Sequence, residues 1–507
     1  MAPPPVITRD RAMIYEPTRL SEAEADFTCR YPGFDPDGAL AELRRTEYAR
    51  FDEGSHIYLD YTGGGLHAAS QIDAHAELMR ARVLGNPHSN SPASFASTEL
   101  VERARRDVCE FFNAPLDDYF CVFTANASAA LRLVGESYRF APGSKFALTA
   151  DNHNSVNGIR EFARRRGAEV VYVPVSPPEL RLDRAAMSCV LRTAEPGALN
   201  LLAFPAQSNY SGVQHRLDLV EEAHAAGWHV LLDAAAFAPT NRLDVAKVRP
   251  DFATLSFYKI MGFPTGVGCL LIRRNRFDVL SRPWFAGGTI TVASVAGDGH
   301  YLRRDEAAFE DGTVDYLNLP AVTIGLRHVQ RVGLDAIHRR VACLTGWLLD
   351  ALDGLCHEGG QRLVQIHGPS TTAERGGTVA FSMYDRNGWR IDDLWVEQLA
   401  CRAGISLRTG CFCNPGASEA AHQLGPEHMR KWFGHDEPMS DFDLRDRIRI
   451  EHGRLPSAIR ISVGLATNFA DAYRFLCFLQ GFADQSVADL NQPAFAVGPG
   501  YAARAAA

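Results

Sequence analysis

The stretch Pro250–Cys269 closes one apolar run at Ser256, places Lys259 three residues later, and crosses a Gly/Pro-rich turn into a second run, Val267–Ile272. Lys259 therefore falls on a loop between two expected buried strands. The chain has only four lysines, Lys145, Lys247, Lys259 and Lys431, among 52 Lys plus Arg, so one at this position asks for a reason. Loops gather solvated charges and functional groups alike. The functional alternative is an amine nucleophile, which must be desolvated or held near positive charge to react at neutral pH. Upstream, Asp233 ends the apolar run Trp228–Leu232 and is followed by three alanines. Farther on, Cys411 and Cys413 lie one residue apart on a turn after Arg408, with His422, His428 and His435 following. A thiolate nucleophile wants such cationic company. Structural zinc sites instead space paired cysteines by two to four residues and use a second pair, so the pattern argues against a metal centre.

A carboxylate at a strand edge followed by a lysine between strands is what a pyridoxal phosphate site needs, Asp opposite the pyridinium nitrogen and Lys on the aldehyde. The segments Asp233-Ala-Ala-Ala-Phe-Ala-Pro-Thr and Ser256-Phe-Tyr-Lys-Ile-Met-Gly-Phe-Pro-Thr-Gly resemble the class V aminotransferase and cysteine desulfurase superfamily. Within it they are most similar to the aminotransferase-like part of molybdenum-cofactor sulfurases. The resemblance implies an aspartate-aminotransferase-like fold and carries roles to named residues. Ala127 and Ser128, opening a helix, are expected to hold the cofactor phosphate, with Ser256 and Tyr258 completing the cup. His153 is expected to stack on the pyridine ring and move protons, Asn209 to bond the 3-hydroxyl, and Thr313 to reach the phosphate of a neighbouring subunit. Arg460 and Arg408 are expected to bind the substrate, Arg460 by gripping its carboxylate. Arg408-Thr-Gly-Cys-Phe-Cys413 puts the family's nucleophile at Cys413. The chain departs from many desulfurases at Tyr258, where they have His, and at Ala236, where they carry glutamine.

Around these residues the chain alternates short apolar runs with amphipathic helical patterns, which predicts a mostly parallel sheet covered on both faces. The runs are Tyr119–Thr124, Lys145–Thr149, Glu169–Pro174, Asn200–Phe204, Trp228–Leu232, Phe252–Ser256 and Val267–Ile272. In such a sheet ligands bind beyond the carboxyl ends of the strands. Helices are expected at about 70–83 and 98–113, one long helix over 327–355, and smaller-domain helices near 391–402 and 469–480. Smaller-domain strands are expected near 362–366, 378–383, 405–408 and 459–463. The predicted organisation is an N-terminal arm over 1–55, a large cofactor-binding domain over 56–328, a small α/β domain over 329–484 and a disordered tail over 485–507.

Net charge of −8 and pI near 6.1 speak against nucleic-acid or anionic-membrane partners. No apolar run approaches a spanning helix and the start lacks a basic leader, so a cytoplasmic protein is expected. Eleven scattered cysteines do not form a secreted disulfide framework. The expected activity is L-cysteine desulfuration by a homodimer, with a persulfide on Cys413, alanine as product, and the molybdenum cofactor or a similar acceptor. The eukaryotic sulfurases' C-terminal domain has no counterpart in these residues, so a separate acceptor protein is one expectation. The alternatives are a C–S lyase acting on a cysteine conjugate and an inactive scaffold or sulfur-carrier partner.

Overall fold

The computed structural model describes residues 14–430, 433, 439–453 and 455–490. Seven strands form the large sheet: β1 Tyr119–Thr124, β2 Lys145–Thr149, β3 Glu169–Val173, β4 Asn200–Pro205, β5 Trp228–Asp233, β6 Phe252–Ser256 and β7 Gly268–Arg273. Their order is β1-β7-β6-β5-β4-β2-β3. β7 runs antiparallel to both neighbours and the other pairings are parallel. Each expected run is present to within a residue or so. Central strands such as β4 and β6 are buried along their whole length, which is why they are continuous apolar runs without alternation. The helix Ala127–Ser137 covers one face through Leu131 and Val134. On the other, Val101, Ala104 and Val108 of the helix Pro92–Phe111 pack with Val322, Leu326 and Val329 of Leu319–Val332.

The small domain has a four-stranded antiparallel sheet of β8 Val364–His367, β9 Thr378–Met383, β10 Arg408–Gly410 and β11 Ala458–Ser462, in the order β8-β9-β11-β10. Phe381 and Ile459 from this sheet join Phe475 and Leu476 of the helix Phe469–Gln480 in the core.

Several boundaries differ from expectation for identifiable reasons. The helix expected at 327–355 is two, Leu319–Val332 and Leu334–Gly354, because Gly333 takes φ +87° between them, a conformation that ends an L-residue helix. The helix expected from Thr98 begins at Pro92, where Ser91 accepts from the Ser94 amide and proline occupies the first turn. The run at 405–408 divides: Ile405–Ser406 pairs in parallel with Ile57–Tyr58, while Arg408 opens β10. The N-terminal segment adds a helix, Leu20–Arg30, and lies on its own small domain, with Phe27 stacked on Phe469 at 4.5 Å and Arg44 ion-paired with buried Asp471 at 2.5 Å. Beyond 484 the chain stays packed through Leu490, the Val487 amide donating to Asp385 and Arg386 pairing with Asp489. The rest of the expected tail, like His435 and Lys431, lies outside the described residues. The described part of the stretch 417–455 includes the helix Asp441–His452, whose Arg445 bonds Asp392 at 2.6 Å. Among the described residues no helix is long and apolar enough to cross a membrane.

Candidate active site

A cavity of about 190 Å³ opens at the carboxyl edge of the large sheet, and Asp233, Ser256, Tyr258, Lys259, His153 and Asn209 all line it, with Ala127 and Ser128 at one end. Five strand ends, those of β1, β2, β4, β5 and β6, deliver them. After β1, Asn126 caps the helix Ala127–Ser137 by accepting from the Ala129 amide (2.9 Å), and Ser256 at the end of β6 accepts from the Ala127 amide (3.0 Å). The Ser128 amide keeps no partner among the described residues, so a helix N-terminus with a free N–H faces the cavity, which suits an anion.

Asp233 ends β5 with one carboxylate oxygen, Oδ1, accepting from the Ala235 amide (3.0 Å) and the Thr254 hydroxyl (3.3 Å). Its Oδ2 has no hydrogen-bond partner among the described residues. Lys259 likewise has neither hydrogen bond nor ion pair. The residue keeps surface toward the open cavity, but the surrounding protein strips water from its amine. Burial pulls its pKa below the ordinary lysine value, opposed by Asp233 and reinforced by Arg460 and Arg408. The turn Tyr61–Gly65 fixes the lysine's backbone. The Gly65 amide donates to the Tyr258 carbonyl at 3.0 Å, and a Cβ on Gly65 would come within 2.6 Å of the Lys259 carbonyl oxygen.

His153 follows β2. The Ser155 amide donates to its Nδ1 at 3.1 Å, so the neutral ring carries its proton on Nε2. Burial lowers its pKa, with Asp233 opposing and Lys259 and Arg460 adding to the effect.

The turn bearing Cys413 leans on the cavity wall. Asn209 donates from Nδ2 to the Phe412 carbonyl (2.7 Å), and Asn414 donates to Asn209 Oδ1 (2.9 Å) and to the Asp151 carbonyl (2.6 Å). The Asn154 amide donates to the Cys413 carbonyl at 2.6 Å. These bonds hold Phe412 and Cys413 at φ +58° and +54°, a left-handed pair that costs L residues of order 1–2 kcal/mol each. Phe412 is buried against Tyr210 and beneath the Arg460 guanidinium, 4.6 Å from its ring centre, while Cys413 is exposed. Cys411 is half-buried.

Arg460, on β11 and 2 % exposed, donates to the Asn209 carbonyl (3.0 Å) and to Asp60 Oδ1 (2.9 Å). Its Nε is buried without a partner. Burial lowers its pKa, Asp60 opposes this and the neighbouring Arg408 charge adds to it. Arg408 spends its fork on the same carboxylate, with Nη2 2.6 Å and Nε 3.1 Å from Asp60 Oδ2. That bond holds its pKa up. Both arginines stand beside the Lys259 cavity, not in its wall. Thr313 is elsewhere in this chain: it accepts from Asn86 Nδ2 at 3.1 Å and borders a separate cavity of about 410 Å³ with Thr124 and Trp284. Its segment is anchored by Glu310, which ion-pairs with buried Arg105 at 2.8 Å and accepts from the Phe123 amide. Among the described residues no cluster of ligating side chains could hold a metal ion.

Sequence reasoning did not assign Asp60, Asn414 or Gln207. Asp60 carried a signal, closing the run Ile57–Leu59, and Asn414-Pro415 is recognisable as a helix cap; Gln207 carried none.

The aminotransferase class V family matches this chain over residues 57–475. The chain belongs to that family. Among curated members it is 34 % identical to the molybdenum cofactor sulfurase of Solanum lycopersicum, over 87 % of this chain and 57 % of that protein. It is 33 % identical to the human molybdenum cofactor sulfurase, over 88 % and 52 %. The chain thus spans a little over half the length of these relatives. A cysteine desulfurase from Thermococcus onnurineus shares the fold, with a TM-score of 0.72 and 24 % identity over 87 % of this chain and 97 % of that one. For a class V member the free Asp233 Oδ2, the unpaired Lys259 amine and the Ser128 N–H form a donor and acceptor set that fits pyridoxal phosphate.

Proposed function

We propose that this protein is a pyridoxal-phosphate-dependent sulfurtransferase of the cysteine desulfurase type, taking sulfur from L-cysteine and passing it to the molybdenum cofactor or a similar acceptor. The observation that carries the reading is the exposed Cys413 on a strained turn bonded through Asn209 to the wall of the Lys259 cavity. When bound, pyridoxal phosphate supplies an electron sink for the pair left at the substrate Cα. Lys259 is the cofactor lysine and the base that takes the Cα proton, its amine kept neutral more readily by burial. Asp233 Oδ2 would keep the cofactor's ring nitrogen protonated, and the Ser128 N–H and Ser256 would hold its phosphate. Arg460, held beside the cavity by Asp60 and the Asn209 carbonyl, is the guanidinium for the substrate carboxylate. The Cys413 thiolate then attacks the substrate sulfur: an S–S bond forms, the Cβ–Sγ bond breaks with its pair retained on carbon, and protonation releases alanine. His153, protonated on Nε2, is placed to donate one of those protons.

The similarity to the two sulfurases supports the acceptor class, and the position of Thr313 outside the Lys259 cavity suits a role across a homodimer. We place the protein in the cytoplasm. The test is incubation with L-cysteine, measuring alanine and Cys413 persulfide together. Equal amounts support the desulfurase; pyruvate and sulfide with no persulfide replace it with the C–S lyase, and no turnover with cofactor unbound leaves the scaffold reading. Restored activity of a desulfo molybdenum hydroxylase supports the acceptor.

A further inference from the structure

Gln207 follows β4 in the turn that leads to Asn209, lines the Lys259 cavity and is 3 % exposed. Its side-chain oxygen is committed away from that cavity's ligand, accepting from Gln214 Nε2 at 3.0 Å and from Asn241 Nδ2 at 3.4 Å. Two amide donors on one atom identify that atom as oxygen, which settles the orientation of the amide. The other end, Nε2, has no partner among the described residues, and it is not among the sealed, unpaired polar atoms. It is an unpartnered donor, not fully sealed, on a residue that lines the cavity. Asn209, by contrast, already uses one Nδ2 hydrogen on Phe412 and its oxygen on Asn414. At 236, where many desulfurases carry glutamine, this chain has an alanine that also lines the cavity.

We infer that Gln207 Nε2 is a hydrogen-bond donor to the ring oxygen of the bound cofactor, supplying from the β4 turn the amide that Ala236 lacks. The inference rests on the pyridoxal phosphate reading and goes beyond it by naming a cofactor-positioning residue. A ring hydroxyl that ionises is held in its charged form by such a donor, so losing it moves the ionisation to higher pH.

The experiment is titration of the cofactor-free protein with pyridoxal phosphate alone, followed by a pH titration of the bound cofactor's absorbance. Gln207→Glu keeps the acceptor for Gln214 and Asn241 and replaces the donor with an anion. We expect at least about fivefold weaker cofactor binding, the worth of one hydrogen bond, and an upward shift of the absorbance midpoint. Adding Ala236→Gln to that variant should return the midpoint toward the wild-type value. Should Gln207→Glu not fold, Gln207→Met keeps the volume, removes the donor and is measured on the same two axes. Binding within twofold of wild type with an unmoved midpoint, in whichever variant folds, overturns the inference. No cysteine enters the assay, so failure of the sulfur-transfer reading leaves this result standing; a wild-type chain that binds no pyridoxal phosphate overturns both.

Discussion

Lys259 and Cys413 divide the chemistry between a buried amine and an exposed thiol. Among the described residues Lys259 has no hydrogen bond or ion pair, and it is the lysine that lines this cavity together with Asp233. Borohydride reduction of the cofactor-loaded protein followed by peptide mapping should therefore find the pyridoxyl group on Lys259; labelling at Lys145, Lys247 or Lys431 sinks the assignment. Losing a covalent nucleophile removes the route through its intermediate, whereas losing a neighbouring thiol costs far less. Cys413→Ala should bind cofactor and cysteine normally, form no persulfide and lose on the order of a hundredfold or more in turnover. Cys411→Ala should remain largely active. Alanine release at the wild-type rate from both variants would mean that no persulfide relay operates, and a dead Cys411→Ala beside an active Cys413→Ala would put the nucleophile two residues earlier.

At the scale of elements, the site is a junction of two sheets and the N-terminal segment. Asp60, just after the strand Ile57–Tyr58, accepts from Arg408 on β10 and Arg460 on β11. One carboxylate thus offsets two guanidiniums, the second of them almost wholly buried. Taking one partner from a buried pair leaves an uncompensated charge and costs about 3–5 kcal/mol, less where solvent screens the other partner, as at half-exposed Arg408. Asp60→Asn should lose about 2–3 kcal/mol on that basis, seen as a lower urea midpoint, and should raise KM for cysteine more than it lowers kcat because Arg460 is displaced. An unchanged midpoint together with an unchanged KM would show that Asp60 does not hold Arg460 in place.

For the whole molecule, burial holds His153, His229, His328 and His367 below the ordinary histidine value. In the window from about pH 6.5 downward the unfolded chain then binds more protons than the folded one, so stability rises with pH. The contribution is complete above about 6.5 and is lost as the pH falls toward the folded values. Thermal melts should accordingly drop between pH 7.5 and 5.5; a flat melting temperature over that range contradicts the buried neutral rings. Thr313 lies outside its own Lys259 cavity, and on the homodimer reading it completes the partner's site. Sedimentation at micromolar concentration should give a dimer, and a fully active monomer would remove the shared site.

The seven strands were legible because each is a short apolar run bounded by turn residues, and a strand buried on both faces needs nothing else to declare itself. Lys259 and Asp233 were legible for the same reason: a charged residue at the end of such a run stands out against it. Gly333 is visible in the sequence, but one glycine inside a periodic pattern does not by itself announce a break. What the tertiary structure alone decided are contacts between residues far apart in the chain: Asp60 with Arg408 and Arg460, Asn209 with Phe412, Gln207 with Asn241. Strand and helix patterns report which face of an element is buried, and they say nothing of which polar group meets which across a domain junction. Hydrogen bonds are directional and short, so those partners were settled only when packing brought the two sheets and the Cys413 turn within about 3 Å of one another.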